Sequence, residues 1–341
     1  MKVLLYFENE KLLQESGIGR ALRHQMMALE SAGVAYTINP LEDYDILHIN
    51  TYFLNSNAII AECKKKGKAV IYHAHSTEED FRNSFLFSNE ISPLFKKYLI
   101  SLYSQGDEII TPTPYSKKIL ESYGITVPIN AISNGIDLKR FAYDKDKVEA
   151  YRRYFSLNKK DKVVIGVGLY FERKGILDFL EIAKKLPEYT FIWFGYSSPL
   201  TIPLEVSAAI ENRSKNVIMP GYVKGAIIEG AYLDADCFFF PSYEETEGIV
   251  VLEALASRQK VVVRDIGAFD PWLIDGYNCF KANDNRNFIK LIEDCVENRC
   301  IDTRENAYKT AEERSIENIG LKLKEVYERV YKKVNYEKES L

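Results

Sequence analysis

The 341-residue sequence has no Cys-x-x-Cys pair, and its cysteines number five, an odd count. Cys63, Cys237, Cys279, Cys295 and Cys300 suit free thiols in a reducing compartment better than a disulfide framework or a zinc site. Long hydrophobic runs are missing too, and no window approaches the apolar length needed to cross a bilayer. The opening MKVLLYFENE has a short apolar run before Glu8 and Glu10 and no small-residue cleavage site, so a cytoplasmic chain is expected. No excess of charge of one sign exists: the formal net charge is -4, which offers nucleic acid no global attraction. An anionic partner has to be held by a local site. Internal repeats and low-complexity segments are absent as well. What remains, 46% hydrophobic and 28% charged residues, is the ordinary balance of a soluble globular protein with length for two domains.

Short apolar runs recur between helical patterns: 2–7, 45–49, 68–73, 108–112 and 130–133, then 162–168, 190–195, 216–221, 237–242 and 260–265. Strands apolar on both faces belong in parallel sheets covered by helices on both sides. Helical spacing lies between them; in 175–186, Ile176, Phe179, Leu180, Ala183 and Leu186 share one face. The polar stretch 137–161 contains no apolar strand and reads as the connection between two doubly wound α/β domains. The last segment, 319–334, is an amphipathic helix with Leu323, Val326, Tyr327, Val330 and Val334 in one stripe.

Four places carry chemistry. PSYEETEGIVVLEALA follows the run CFFF and sets Glu245 eight residues before Glu253, with Gly248 where a helix would begin. Unpaired backbone N–H groups at such a start attract anions. Apolar neighbours surround Glu253, and a buried carboxylate needs hydrogen-bond donors, which ribose hydroxyls supply. An exposed acidic helix face fits the same residues equally well. VGLYFERKG places Arg173 and Lys174 between a strand and a helix, where two cations can hold a diphosphate or form a solvated basic turn. SGIGR (16–20) precedes a helix, but Leu22 stands where a dinucleotide fingerprint needs its third glycine. HAHSTEEDFR ends a strand with His73 and His75, a spacing that also suits metal, though no third ligand is evident. His24 and His48 read as structural.

Together these motifs, with SNGID at 133–137, resemble the retaining glycosyltransferases of family 4, and the resemblance covers nearly the whole chain. It implies the GT-B fold: two Rossmann-like domains facing a central cleft, with the C-terminal helix returning to the N-terminal domain. The expected boundaries are an acceptor-side domain at 1–155, a nucleotide-sugar domain at 156–317 and the returning helix at 318–341. In that family the glutamate matching Glu253 holds the nucleotide ribose and the one matching Glu245 lies beside the donor sugar. The catalytic set so implied is His75, Glu245, Arg173 and Lys174. The nucleotide-sugar is expected against Gly17, Ile18, Gly19, Arg173, Lys174, Val223, Glu245, Thr246, Glu247, Gly248, Ile249 and Glu253. One departure concerns the phosphates: family members often carry an arginine where this chain has Leu169, a role Arg173 is expected to take over. No metal or cofactor is implied. The DAD at 234–236 and DYD at 43–45 sit in turn positions before apolar strands and are not assigned a metal.

HSTEEDFRNSF, VGLYFERKG and YEETEGIVVLEALAS further resemble bacterial enzymes that extend monoglucosyl-diacylglycerol to a diglycosyl lipid, an anchor for lipoteichoic acid. The implied donor is UDP-galactose or UDP-glucose, and the implied acceptor is a glycolipid in the inner membrane leaflet. The basic, aromatic-rich segment 85–106 then reads as a peripheral membrane contact, although a core-facing helix has the same pattern. Three other readings fit: a polysaccharide intermediate as acceptor, a sugar-nucleotide epimerase, and a non-catalytic sugar-nucleotide-binding partner.

Overall fold

Twelve strands form in the computed structural model, which describes residues 1–8 and 17–339, and they make two six-stranded, all-parallel sheets. All ten apolar runs become strands. Two more, β2 (Ala35–Thr37) and β12 (Phe280–Ala282), carry no such run; each is three residues long and lies at a sheet edge. The chain divides into two units: 1–78, 91–137 and 314–341 form the first, and 79–90 with 138–313 the second.

In the first unit the strand order is β2-β1-β3-β4-β5-β6. The chain runs from β1 (Lys2–Tyr6) outward to β2, then crosses back to β3 (Ile46–Ile49), β4 (Ala69–His73), β5 (Glu108–Thr111) and β6 (Ile129–Ala131). The second unit has the order β12-β11-β10-β7-β8-β9. It starts at β7 (Val163–Val167), runs outward to β8 (Thr190–Phe194) and β9 (Val217–Gly221), then returns to β10 (Cys237–Phe240), β11 (Val261–Arg264) and β12. Each sheet therefore reverses direction once, between β1 and β3 and between β7 and β10. Loops leaving the carboxyl ends of strands diverge at such a reversal, which opens a crevice where α/β folds place ligands.

The C-terminal helix, Ile316–Glu339, belongs to the first unit. Its Ile319, Leu323, Val326, Tyr327 and Val330 join Val3 and Leu5 in one core cluster. It crosses the helix Gly17–Ser31 at Gly320, where a Cβ would come 2.2 Å from the Ala28 carbonyl oxygen. The polar stretch 137–161 holds a helix of its own, Lys145–Tyr154, capped by Asp144. It packs on the helix Ala226–Asp234 through buried Tyr151 and an equally close approach at Gly230. That stretch thus folds with the second unit.

Candidate active site

At the β7/β10 reversal, the loop after β7 closes as a short helical turn, Glu172–Lys174, ended by Gly175 at φ +73°. A Cβ on Gly175 would meet the Pro241 carbonyl oxygen at 2.3 Å. Glycine is thus required for this turn to lie against the loop after β10, and the contact brings Lys174 to Glu245. The Lys174 Nζ and Glu245 Oε1 atoms form an ion pair in which the carboxylate is buried and the lysine partly so. Ser242 Oγ donates to the same carboxylate oxygen at 2.7 Å. Burial raises the Glu245 pKa, but the charges of Lys174 and Arg173 outweigh it and leave the carboxyl below its ordinary range. Lys174 is pushed down by burial first and by Arg173 beside it, against the pull of Glu245. Two cations crowd one carboxylate here, an arrangement that favours an additional anion.

Arg173 is built into the loop while remaining partly exposed. Its Nε donates to Ser84 Oγ at 2.7 Å and one terminal nitrogen donates to the Glu244 carbonyl at 3.1 Å. Its backbone N–H donates to the Asn83 carbonyl. From below, Arg264 donates to the Pro241 carbonyl at 3.0 Å and to Asp178 at 3.0 Å, with its guanidinium 3.8 Å from the Tyr243 ring centre. The loop carrying Glu245, Thr246, Glu247 and Gly248 is therefore held on both sides. It leads into the helix Ile249–Ala256, where Glu253 is buried and accepts from Tyr232 Oη at 2.8 Å. Leu169 is exposed. Val223 lies in the turn after β9 at the outer edge of the sheet, and no hydrogen bond or ring contact among the described residues links it to the ion pair.

In the first unit, Gly17, Ile18 and Gly19 form the first turn of the helix Gly17–Ser31, whereas a separate turn before that helix was expected; Ser16 lies outside the described residues. Gln25 on this helix reaches the carboxyl ends of β3 and β4. There His73 and His75 stack with ring centroids 4.0 Å apart, and His48 stacks on His73 at 5.3 Å. His75 Nε2 lies 2.9 Å from Asn50 Oδ1. Burial lowers the pKa values of all three imidazoles, those of His48 and His75 to about 3, so the rings are neutral. His24, expected to be structural, is bonded through Nδ1 to the Gly135 carbonyl in SNGID. Among the described residues, no group of three or more His, Cys, Asp or Glu side chains is placed to hold a metal ion.

Sequence alone missed Ser84, Ser242, Tyr232 and Arg264 in one unit and Gln25, Asn50 and Tyr327 in the other. Ser242 and Ser84 stood inside the stretches PSYEETEGIVVLEALA and HSTEEDFRNSF without being singled out, and Arg264 carried a signal as a charge ending an otherwise apolar strand.

Residues 147–314 match the family model of glycosyl transferases group 1, and residues 18–140 match that of glycosyltransferase family 4. The chain belongs to these glycosyltransferases, and its two parallel sheets are those of the GT-B fold. It is 50% identical to the processive diacylglycerol alpha-glucosyltransferase of Acholeplasma laidlawii, over 97% of this chain and 99% of that protein. It is 26% identical to the alpha-galactosylglucosyldiacylglycerol synthase of Streptococcus pneumoniae, over 81% of this chain and 76% of the relative. The fold also matches sucrose-phosphate synthase of Thermosynechococcus elongatus, with a TM-score of 0.80, 15% identity and coverage of 97% and 99% of the two chains. HepE of Anabaena, solved with UDP and glucose, matches with a TM-score of 0.76 at 16% identity, over 96% and 99% of the two chains.

Proposed function

We propose that this glycosyltransferase moves a hexose from a UDP-sugar to a diacylglycerol-based glycolipid and retains the anomeric configuration. The observation that carries the reading is the crowding of Lys174 and Arg173 around one buried carboxylate, at the strand reversal where a diphosphate would be drawn. Similarity at 50% identity to a diacylglycerol glucosyltransferase supports the acceptor class and favours glucose over galactose. In this reading Lys174 and Arg173 draw charge onto the departing diphosphate, and the N–H groups at the Gly248–Ile249 helix start assist. Glu253 takes the ribose, while Glu245 and His75 orient the sugar. The acceptor hydroxyl attacks from the face the diphosphate leaves, and a leaving phosphate oxygen receives its proton.

The same cations make a divalent ion unnecessary. Membrane contact at the inner leaflet has its support in exposed Ile91 and Leu94 of the first unit, close in sequence to Lys96 and Lys97. The test is the purified chain with radiolabelled UDP-glucose or UDP-galactose, and vesicles holding diacylglycerol or monoglucosyl-diacylglycerol. Transfer to lipid that persists in EDTA, with an α-linkage in the product, is the expected result. UDP release only with soluble sugars, or a β-linked product, overturns the reading.

A further inference from the structure

Residues 79–90 belong to the second unit, although the chain on either side of them belongs to the first. The segment is closed on itself by polar side chains. Asn83 N–H donates to Asn89 Oδ1 at 3.0 Å, and Asn89 Nδ2 donates back to Asn83 Oδ1 at 2.8 Å. Ser84 N–H donates to Ser88 Oγ at 3.3 Å, and Leu86 N–H donates to the Thr201 carbonyl at 3.0 Å. Asn83 takes a left-handed backbone, φ +52°, which short amide side chains tolerate. Its carbonyl accepts from the Arg173 backbone N–H at 3.1 Å, so the segment meets the loop after β7 at that residue.

The side chain of Arg173 is held by the next residue, Ser84, which is 2% exposed. A hydroxyl has one hydrogen and can accept as well. The Ser84 hydrogen goes to the Asp80 carbonyl at 3.2 Å, which leaves a lone pair for Arg173 Nε at 2.7 Å. A guanidinium N–H only donates, so this bond has one possible direction. Arg173 Nη1 donates to the Glu244 carbonyl at 3.1 Å. With Nε and Nη1 both pinned, the plane of the group is set. Three of its five N–H bonds, both of those on Nη2 among them, have no protein partner among the described residues.

The partners of Arg173 are a hydroxyl and a carbonyl, and none of them cancels its charge. Arg264 in the same unit shows the other case: its guanidinium is paired with the Asp178 carboxylate and is buried. Arg173 is oriented without being neutralised, and its charge is felt by both Lys174 and Glu245. We infer that Ser84 is a positioning residue for the transfer reaction, turning the Arg173 guanidinium so that its free N–H edge meets the diphosphate of the UDP-sugar. The inference rests on the proposed role of Arg173 at the departing diphosphate; Arg173 touches substrate and Ser84 acts through it. Without the hydroxyl, Nε has no partner and the long side chain regains rotamer freedom that diphosphate binding must then remove.

The test is calorimetric titration of the whole chain with UDP and with UMP, alongside turnover of UDP-glucose with diacylglycerol vesicles. UMP lacks the second phosphate and reports whether the rest of the nucleotide site is intact. Ser84→Ala should weaken UDP binding by about tenfold, the worth of one hydrogen bond to a charged group, and leave UMP binding unchanged. Its kcat should fall by about tenfold as well. In an Arg173→Ala background the same replacement should change either quantity by less than about twofold, because the group that Ser84 orients is gone. Wild-type UDP binding and kcat in Ser84→Ala, equal loss of UDP and UMP affinity, or a full further loss on top of Arg173→Ala each overturn the inference. Arg173→Ala with unaltered UDP binding and turnover overturns the role of Arg173 at the diphosphate instead, so the two failures are distinguishable.

Discussion

Both sheets reverse direction once, and polar side chains gather at each reversal, yet the two sites are built on opposite electrostatic terms. At the carboxyl ends of β3 and β4, beside the β1/β3 reversal, imidazole rings are held neutral and linked through amide and hydroxyl groups. Between β7 and β10, a lysine and an arginine press on one ionised carboxylate. The first arrangement has the chemistry to orient uncharged hydroxyl groups, and the second has the chemistry to attract an anion. Burial alone does not determine which results. Loop residues able to pair ions, Lys174 with Glu245 and Ser242, decide it in the second unit.

The sharpest way to break the contrast is Lys174→Ala. It should lower kcat by about two to three orders of magnitude, since a single preorganised donor to a departing anion is worth ~3–4 kcal/mol. It also leaves the Glu245 carboxylate buried beside one cation fewer, so a fall in Tm should accompany the kinetic loss. Near-normal turnover would remove the charged site from the chemistry.

Acid should separate the two sites by the pH at which each weakens. His48 and His75 have folded pKa values of about 3 against an ordinary 6.5. Between those values the unfolded chain binds more protons, so their stability contribution is present above pH 6.5 and is lost as pH falls. Each histidine should cost about 2 kcal/mol by pH 5, at ~1.4 kcal/mol per pH unit. Glu245, also depressed, contributes above the ordinary 4.5 of a glutamate and loses that only below it. Hydrogen-exchange protection of β3 and β4 should therefore decline between pH 6.5 and 5 while that of β7 and β10 holds. Parallel decline in both sheets would contradict the contrast.

Two smaller effects sharpen the picture. Gly175→Ala forces a Cβ onto Pro241 in a left-handed backbone and should cost about 2 kcal/mol, with a rise in donor KM as Lys174 shifts. Tyr232→Phe removes one donor from buried Glu253 and should cost about 1 kcal/mol in chemical denaturation.

Much of this was legible in the order of residues. The eight central strands are buried in apolar runs, and the edge strands β6 and β9 carry such runs too, so all ten announced themselves, and the charged site is made of two loops that each carry their chemistry in a few consecutive residues. β2 and β12 escaped because each is three residues long, AYT and FKA, and too short and too mixed to show an apolar run. The helix Lys145–Tyr154 escaped because it buries little besides Tyr151. The neutral site was half visible: His73 and His75 are neighbours in sequence, but Tyr327 meets His48 from 279 residues away. Local spacing carries no trace of such a pairing.

The C-terminal helix has a consequence for synthesis. Val3 and Leu5 share their core with Leu323, Tyr327 and Val330, so strands made early wait for a helix made much later. The second unit needs nothing beyond Glu313 and has all its residues in hand earlier. On the ribosome, the first unit should therefore mature after the second. Premature termination near residue 313 should therefore yield a product whose amino-terminal sheet lacks one covering helix and recruits chaperones.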